Sequence, residues 1–242
     1  MRATLEETLG LLVAHLHLFT LLSLTVWLPT HVFLNYLEFF GPAEPLRALR
    51  VGLMIQVVLD PLVVSATVMA LARVKQGLPL DYWSVLSDGG RAWSRLFLLR
   101  LVVTTVVVLP AAAAALARPG RGAAAAAAVL LVVAVVTVMF LVRFAVADAV
   151  VVLEGRTVFN CWSRAAALTA GQRGTILGTA ALLFGLVSSV ALLATMAFRA
   201  APELNHFVVR VLFDCALSVS QSLFTIALFL FYWRVVRAET AA

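Results

Sequence analysis

Four ionisable side chains stand inside strongly apolar runs. Asp60 lies in VVLDPLVV, Arg143 and Asp148 in LVRFAVADAVVVL, and Asp214 in VLFDCALS. A charge at bilayer depth is costly, so it faces a bundle interior or a water cavity, or snorkels to the interface. If all four faced one interior, Asp60, Arg143, Asp148 and Asp214 would form a partly neutralising cluster. Such a cluster suits a proton or ion path, and it equally suits structural salt bridges. Pro61, directly after Asp60, kinks its helix and frees a carbonyl. Further polar residues recur at helical spacing: Asp214, Ser218, Gln221, Ser222 and Thr225 form a stripe, and Gly178, Ala181, Gly185 and Ser188 form a small-residue side. Small residues let helices approach closely, while hydroxyls and amides bond across the interface.

Other chemistry is poorly supplied. His15 and His17 are two apart, so on a helix they point to different faces and make a poor metal pair. Cys161 and Cys215 have neither metal spacing nor a disulfide framework and read as small buried hydrophobes. The PGRGAAAAAA stretch has no strand before it and no Lys-Ser/Thr after it, so it is not a phosphate loop. The nearest paired carboxylates, Asp148 and Glu154, fall off a common helix face. No catalytic residue, cofactor or metal is expected.

These residues are carried by a chain of 242 residues, 63% hydrophobic and 12% charged, with a mean hydropathy of +1.05. Soluble domains are about 45–50% apolar and about 25% charged. The balance points to an all-α, polytopic transmembrane helical bundle, read as one integral membrane domain over residues 1–242. A bilayer core needs roughly 20 apolar residues per helix. About six spans are expected, near Leu9–Val32, Val51–Ala72, Leu96–Ala117, Ala123–Leu153, Ile176–Phe198 and Phe207–Tyr232. The run after Glu6 and Glu7 is too long for a signal-peptide core and reads as a first membrane helix. Turns are expected at Gly41–Pro45, Pro119–Gly122 and Pro202.

The net charge of +6 rests on arginine, with Lys75 the lone lysine. Most arginines stand at the ends of apolar runs, so the basic balance speaks for membrane anchoring and against a nucleic-acid partner. Two longer connections, about 73–95 and 154–175, carry Arg73, Lys75, Arg91, Arg95, Arg156, Arg164 and Arg173. By the Lys/Arg bias of short loops, these connections and both termini are expected in the cytoplasm. Each connection reads as a short amphipathic helix in the cytoplasmic interface. The first shows Trp83, Leu86, Gly90 and Trp93 on one side, with Asp81 able to cap it. The second shows Val158, Trp162, Ala165 and Leu168. Each then reaches a glycine, at Gly89-Gly90 and at Gly171, as helix ends favour. Trp83, Arg91, Trp93, Glu154, Trp162 and Arg164 are the expected interfacial anchors, set among lipid headgroups.

The stretch Arg143-Phe144, VVVLEG (Val150–Gly155), Trp162-Ser163-Arg164 and Leu168-Thr169-x-Gly171, with Thr25–Pro29 nearer the start, resembles a family of bacterial six-span membrane proteins. These are similar to the membrane domain attached to some glycerophosphodiester phosphodiesterases, and to related stand-alone inner-membrane proteins. In that family the phosphodiesterase activity belongs to a separate soluble barrel domain. The resemblance therefore implies a fold and a bacterial inner-membrane location, and no catalysis. The expected function is a non-enzymatic accessory or scaffold subunit of a membrane assembly, or a lipid organiser, with membrane lipids and a membrane-protein partner or second copy as its company. The alternative is a small transporter or permease component using Asp60, Arg143, Asp148 and Asp214.

Overall fold

The computed structural model describes residues 2–41, 47–116 and 123–241. All regular structure among them is helical. In chain order the helices are α1 (Arg2–Ala14), α2 (Leu16–Phe40), α3 (Arg47–Gln76), α4 (Tyr82–Leu116), α5 (Ala123–Arg143), α6 (Ala147–Leu153), α7 (Val158–Leu168), α8 (Arg173–Ala200) and α9 (Phe207–Ala241), with a 3₁₀ turn at Pro202–Leu204. Among the described residues, five stretches are long and apolar enough to cross a membrane: Leu16–Phe40, Arg50–Gln76, Leu131–Leu153, Arg173–Ala200 and Phe207–Thr240. The chain is thus a membrane-embedded helical protein. Pro42, Pro45, Ala117 and Pro119–Gly122 lie outside the described residues.

Two boundaries differ from expectation. The first apolar run breaks at His15, so the spanning helix begins at Leu16 and continues to Phe40. The segment before it, α1, buries Thr4 and Thr8 and is tied to the end of α9, where Arg234 donates to Glu7 at 2.5 Å and to Thr4 Oγ1 at 2.7 Å. The first connection is not a separate short helix either. Asp81 does cap it, accepting from the Ser84 N–H at 2.9 Å, but α4 then runs on without a break through Gly89 and Gly90. Gly89 serves packing. A Cβ there would lie 2.7 Å from Ala66 Cα, and its carbonyl accepts from Ser65 Oγ at 2.9 Å. Small residues at 65, 66 and 89 let α3 and α4 touch backbone to backbone.

The second connection does hold a helix of its own. α7 buries Cys161, Ala165 and Leu168 and exposes Asn160 and Ser163. Its borders are set by glycines in the left-handed region, Gly155 at φ +64° and Gly171 at φ +81°, a conformation only glycine adopts without strain.

The packed core occupies one half of the bundle. Ala66, Ala70 and Leu71 of α3, Val85, Leu96 and Leu99 of α4, Val150 and Val151 of α6, and Ile226 and Leu230 of α9 are fully buried there. Phe231 and Tyr232 belong to the same core. A cavity with polar lining lies elsewhere in the bundle, between α2, α3 and α9.

Candidate functional site

The four ionisable residues read from the sequence do not form one cluster. Asp60 of α3 and Asp148 of α6 meet, but through Arg100 of α4. Arg100 Nη2 donates to Asp148 Oδ2, and Nη1 lies 3.7 Å from Asp60 Oδ2. Its Nε is buried with no acceptor. Cavities of about 280 Å³ and 180 Å³ adjoin this triad, both lined by Arg100 and Asp148.

Arg143 stands apart, because the long fourth run is not one helix. It breaks between α5 and α6, over Phe144–Val146. Arg143 is exposed at that break, with its guanidinium over the Phe144 ring at 5.6 Å. The break is held by Thr169, whose hydroxyl donates to the Arg143 carbonyl at 2.8 Å. That bond satisfies a carbonyl at the end of α5, where helical partners run out.

Asp214 belongs to a second place, in the other half of the bundle. A cavity of about 590 Å³ lies between α2, α3 and α9, lined by Trp27, His31, Asn35, Glu38, Gln56, Asp214, Ser218 and Gln221 among others. Asn35 Nδ2 donates to Asp214 Oδ2 and to the His31 carbonyl, both at 2.9 Å. This fixes the amide, since the flipped orientation would set its oxygen against two acceptors. Asn35 Oδ1 is then left buried with no donor. Arg210 Nε approaches Asp214 only to 3.9 Å, and its guanidinium lies over Phe198. His31 Nε2 and Ser218 Oγ are 2.7 Å apart, and the His31 ring stacks on Trp27 at 5.7 Å.

His31 and Ser218 have the spacing of a base and a nucleophile. The rest of that machinery is missing around them. Asp214 is hydrogen-bonded to Asn35 and makes no hydrogen bond to His31 among those described. Ser218 sits in the middle of α9, where the neighbouring backbone N–H groups are spent on the helix, so they cannot form an oxyanion hole.

A third polar layer closes the end of the bundle where the chain's two ends meet. Lys75 Nζ donates to Glu7 at 2.6 Å, and Arg73 donates to Ser84 and Asp88, both at 2.5 Å. Glu154 accepts from Arg156 at 2.7 Å, Arg164 at 3.3 Å and Tyr232 at 3.3 Å, while Arg164 also forks onto Glu239 at 3.1 and 2.6 Å. Burial opposes ionisation of Glu7, but Lys75 and Arg234 outweigh it and hold its carboxyl below the ordinary value. The hydrogen bonds to Glu239, ahead of those to Glu154, raise the Arg164 pKa. Burial, with the nearby charge of Asp148, pushes the Cys161 thiol up to about 11.

The expected anchors divide. Glu154 and Arg164 are joined in this layer. Trp83 is 72% exposed, as is most of the Arg91 side chain, 3.2 Å from Asp88. Trp93 instead faces α3 and donates from Nε1 to the Val58 carbonyl at 2.8 Å. Trp162 packs edge-on against Phe144 at 4.4 Å, with Phe140 alongside. Arg100, His31, Asn35, Glu38 and Gln56 are polar site residues that the motifs do not single out. Arg100 was findable by the rule that flagged Asp60, because it stands in the apolar run RLFLLRLVV. No protein-family model, curated protein or solved structure matches the chain.

Proposed function

We propose that this protein is a non-enzymatic, multi-pass membrane carrier or permease component for a small polar solute. The observation that carries the reading is the 590 Å³ polar cavity between α2, α3 and α9. Its walls are segments otherwise apolar enough to span a bilayer. Membranes keep such residues where they serve a pathway or a site, because each one costs free energy when unused. The volume is that of a small-molecule pocket. The Asp60–Arg100–Asp148 triad, by contrast, is paired on every member and supports the bundle. As part of the same proposal, α4 supplies the sixth span, and the protein sits in a bacterial inner membrane. Its ionic end, with both termini, faces the cytoplasm, as the arginines at that end favour. Kinship with the six-span family named above belongs to this proposal too.

Gly52 offers the test. It lines the cavity, and a Cβ there would meet nothing closer than a Leu34 side-chain carbon at 3.5 Å, so Gly52→Leu fills the space without a backbone clash. Solute uptake into proteoliposomes, screened over amines, amino acids and sugars, should show a transported solute whose uptake Gly52→Leu abolishes. Uptake unaltered by Gly52→Leu, or no uptake of any class, contradicts the proposal.

A second reading, an accessory subunit, draws on α8. Only 17% of its spanning window is buried within the chain, against 33–56% for the other four. A helix so loosely held has a face free for a partner subunit. Purification in native nanodiscs with one stoichiometric membrane partner would favour it.

A further inference from the structure

The cavity between α2, α3 and α9 has a marked imbalance of hydrogen-bonding groups. Asp214 and Glu38 bring two carboxylates to it. Asn35 adds an amide oxygen in the wall, on a residue only 2% exposed, that no donor reaches. Both hydrogens of the Asn35 amide are already spent, on Asp214 and on the His31 carbonyl, so Asn35 has only accepting capacity left to offer.

Among the described residues, Arg210 is the cation that an ion-pair contact brings to Asp214. It stands 3.9 Å from Asp214, beyond a good hydrogen bond, with its Nε buried and without an acceptor among the described residues and its guanidinium over the Phe198 ring. The stacked Trp27 and His31 rings add an aromatic face, which attracts cations through the ring quadrupole. Gln56, Gln221 and Ser218 complete the lining with neutral groups that can donate or accept.

From this we infer that the cavity binds a small organic ammonium solute, an aliphatic amine. Its N–H groups supply the donor that Asn35 Oδ1 lacks and add to the hydrogen bond that Asp214 accepts from Asn35, and its positive charge is matched by the carboxylates of Glu38 and Asp214. An inorganic cation would leave most of so large a cavity empty. An anion would face two carboxylates.

The inference rests on the carrier reading of the cavity, and the two can fail separately. Full-length protein in nanodiscs is titrated by calorimetry with putrescine, which has one ammonium for each carboxylate, and with sodium chloride and sodium glutamate as contrasts. Saturable putrescine binding is expected. Glu38→Gln and Asp214→Asn should each weaken it about 10–100-fold, the usual worth of a hydrogen bond to a charged group. Glu38 is exposed and its variant leaves the packing intact, so the test survives if Asp214→Asn fails to fold. No putrescine binding, binding unchanged in Glu38→Gln, or equal response to sodium overturns the assignment. Glutamate binding without putrescine binding also overturns it while leaving a carrier. Putrescine binding without uptake into proteoliposomes upholds the assignment and defeats the carrier.

Discussion

Replacing Arg100 by methionine removes the one described guanidinium that reaches both Asp60 and Asp148. At the observed 3.7 Å, the attraction between Arg100 and Asp60 is about 4.5 kcal/mol at an effective dielectric near 20. The contact with Asp148 is closer still. Part of this is offset, because the guanidinium no longer has to leave water, and because an abandoned carboxylate can take up a proton. Breaking a buried ion pair on one side costs about 3–5 kcal/mol net. Arg100→Met should therefore raise the unfolding equilibrium constant by roughly two to three and a half powers of ten. Reversible unfolding in mixed micelles titrated with dodecyl sulfate, followed by tryptophan fluorescence, reads this directly. Asp148→Asn keeps a hydrogen-bond partner for Arg100 and leaves Asp60 as counter-ion, so it should cost only about 1 kcal/mol. The triple variant Arg100→Met, Asp60→Asn, Asp148→Asn should recover most of the loss, since no charge remains to be stranded. A cost below about 1 kcal/mol for Arg100→Met, or no recovery in the triple variant, would refute this account of the triad.

Three further outcomes are expected. Gly89→Ala should destabilise by about 1–3 kcal/mol through overpacking against α3, whereas Gly90→Ala, with nothing within 4 Å of its Cβ, should gain about 0.5–1 kcal/mol in the same titration; equal effects would refute the close approach. Because the Glu7 carboxyl is held below the ordinary value of 4.5, its contribution is complete above that pH and lost as pH falls through the lower folded value. The wild type should therefore become less stable relative to Glu7→Gln in this acid range, and a gap that instead closes near neutrality would contradict the pairing. Cys161, with its thiol pushed up to about 11 and its Sγ 3.0 Å from the Val158 carbonyl, should resist maleimide at pH 7.5 in the folded protein and react once unfolded.

Much of the architecture can be read from residues alone, for reasons that explain the exceptions. Apolar runs of about 20 residues locate spans because length and hydropathy are what a bilayer demands. They do not locate ends. Residues 9–15 are as apolar as a span, yet the chain turns at His15, and α2 slides toward Phe40. With the span read as ending at Val32, His31 falls at its edge and Asn35 outside it. Both become cavity residues only when α2 is seen to continue. The stripe on α9 was legible at helical spacing, but its partners on α2 and α3 depend on how the helices pair, which spacing within one helix does not encode. Gly89 shows the same limit. A glycine near the end of an amphipathic segment suits a helix stop, and only Ala66 lying against it reveals a contact point. Arg143 groups with Asp148 when the fourth run reads as one helix, and the break at Phe144–Val146 separates the two, with Arg143 exposed. The Thr169 hydroxyl holds that same break, a contact between residues 26 apart that spacing along one helix does not encode.

A cavity inside the bundle that solvent reaches will show itself in cysteine accessibility. In a background carrying Cys161→Ala and Cys215→Ala, Gln56→Cys and Gln221→Cys place thiols on the cavity wall, and Leu193→Cys places one on the apolar face of α8, where Leu193 is 66% exposed. Intact membranes are treated with a charged, membrane-impermeant methanethiosulfonate. Modification at positions 56 and 221, blocked by Gly52→Leu and absent at 193, is the predicted result. Thiols at 56 and 221 as unreactive as the one at 193 would contradict the account.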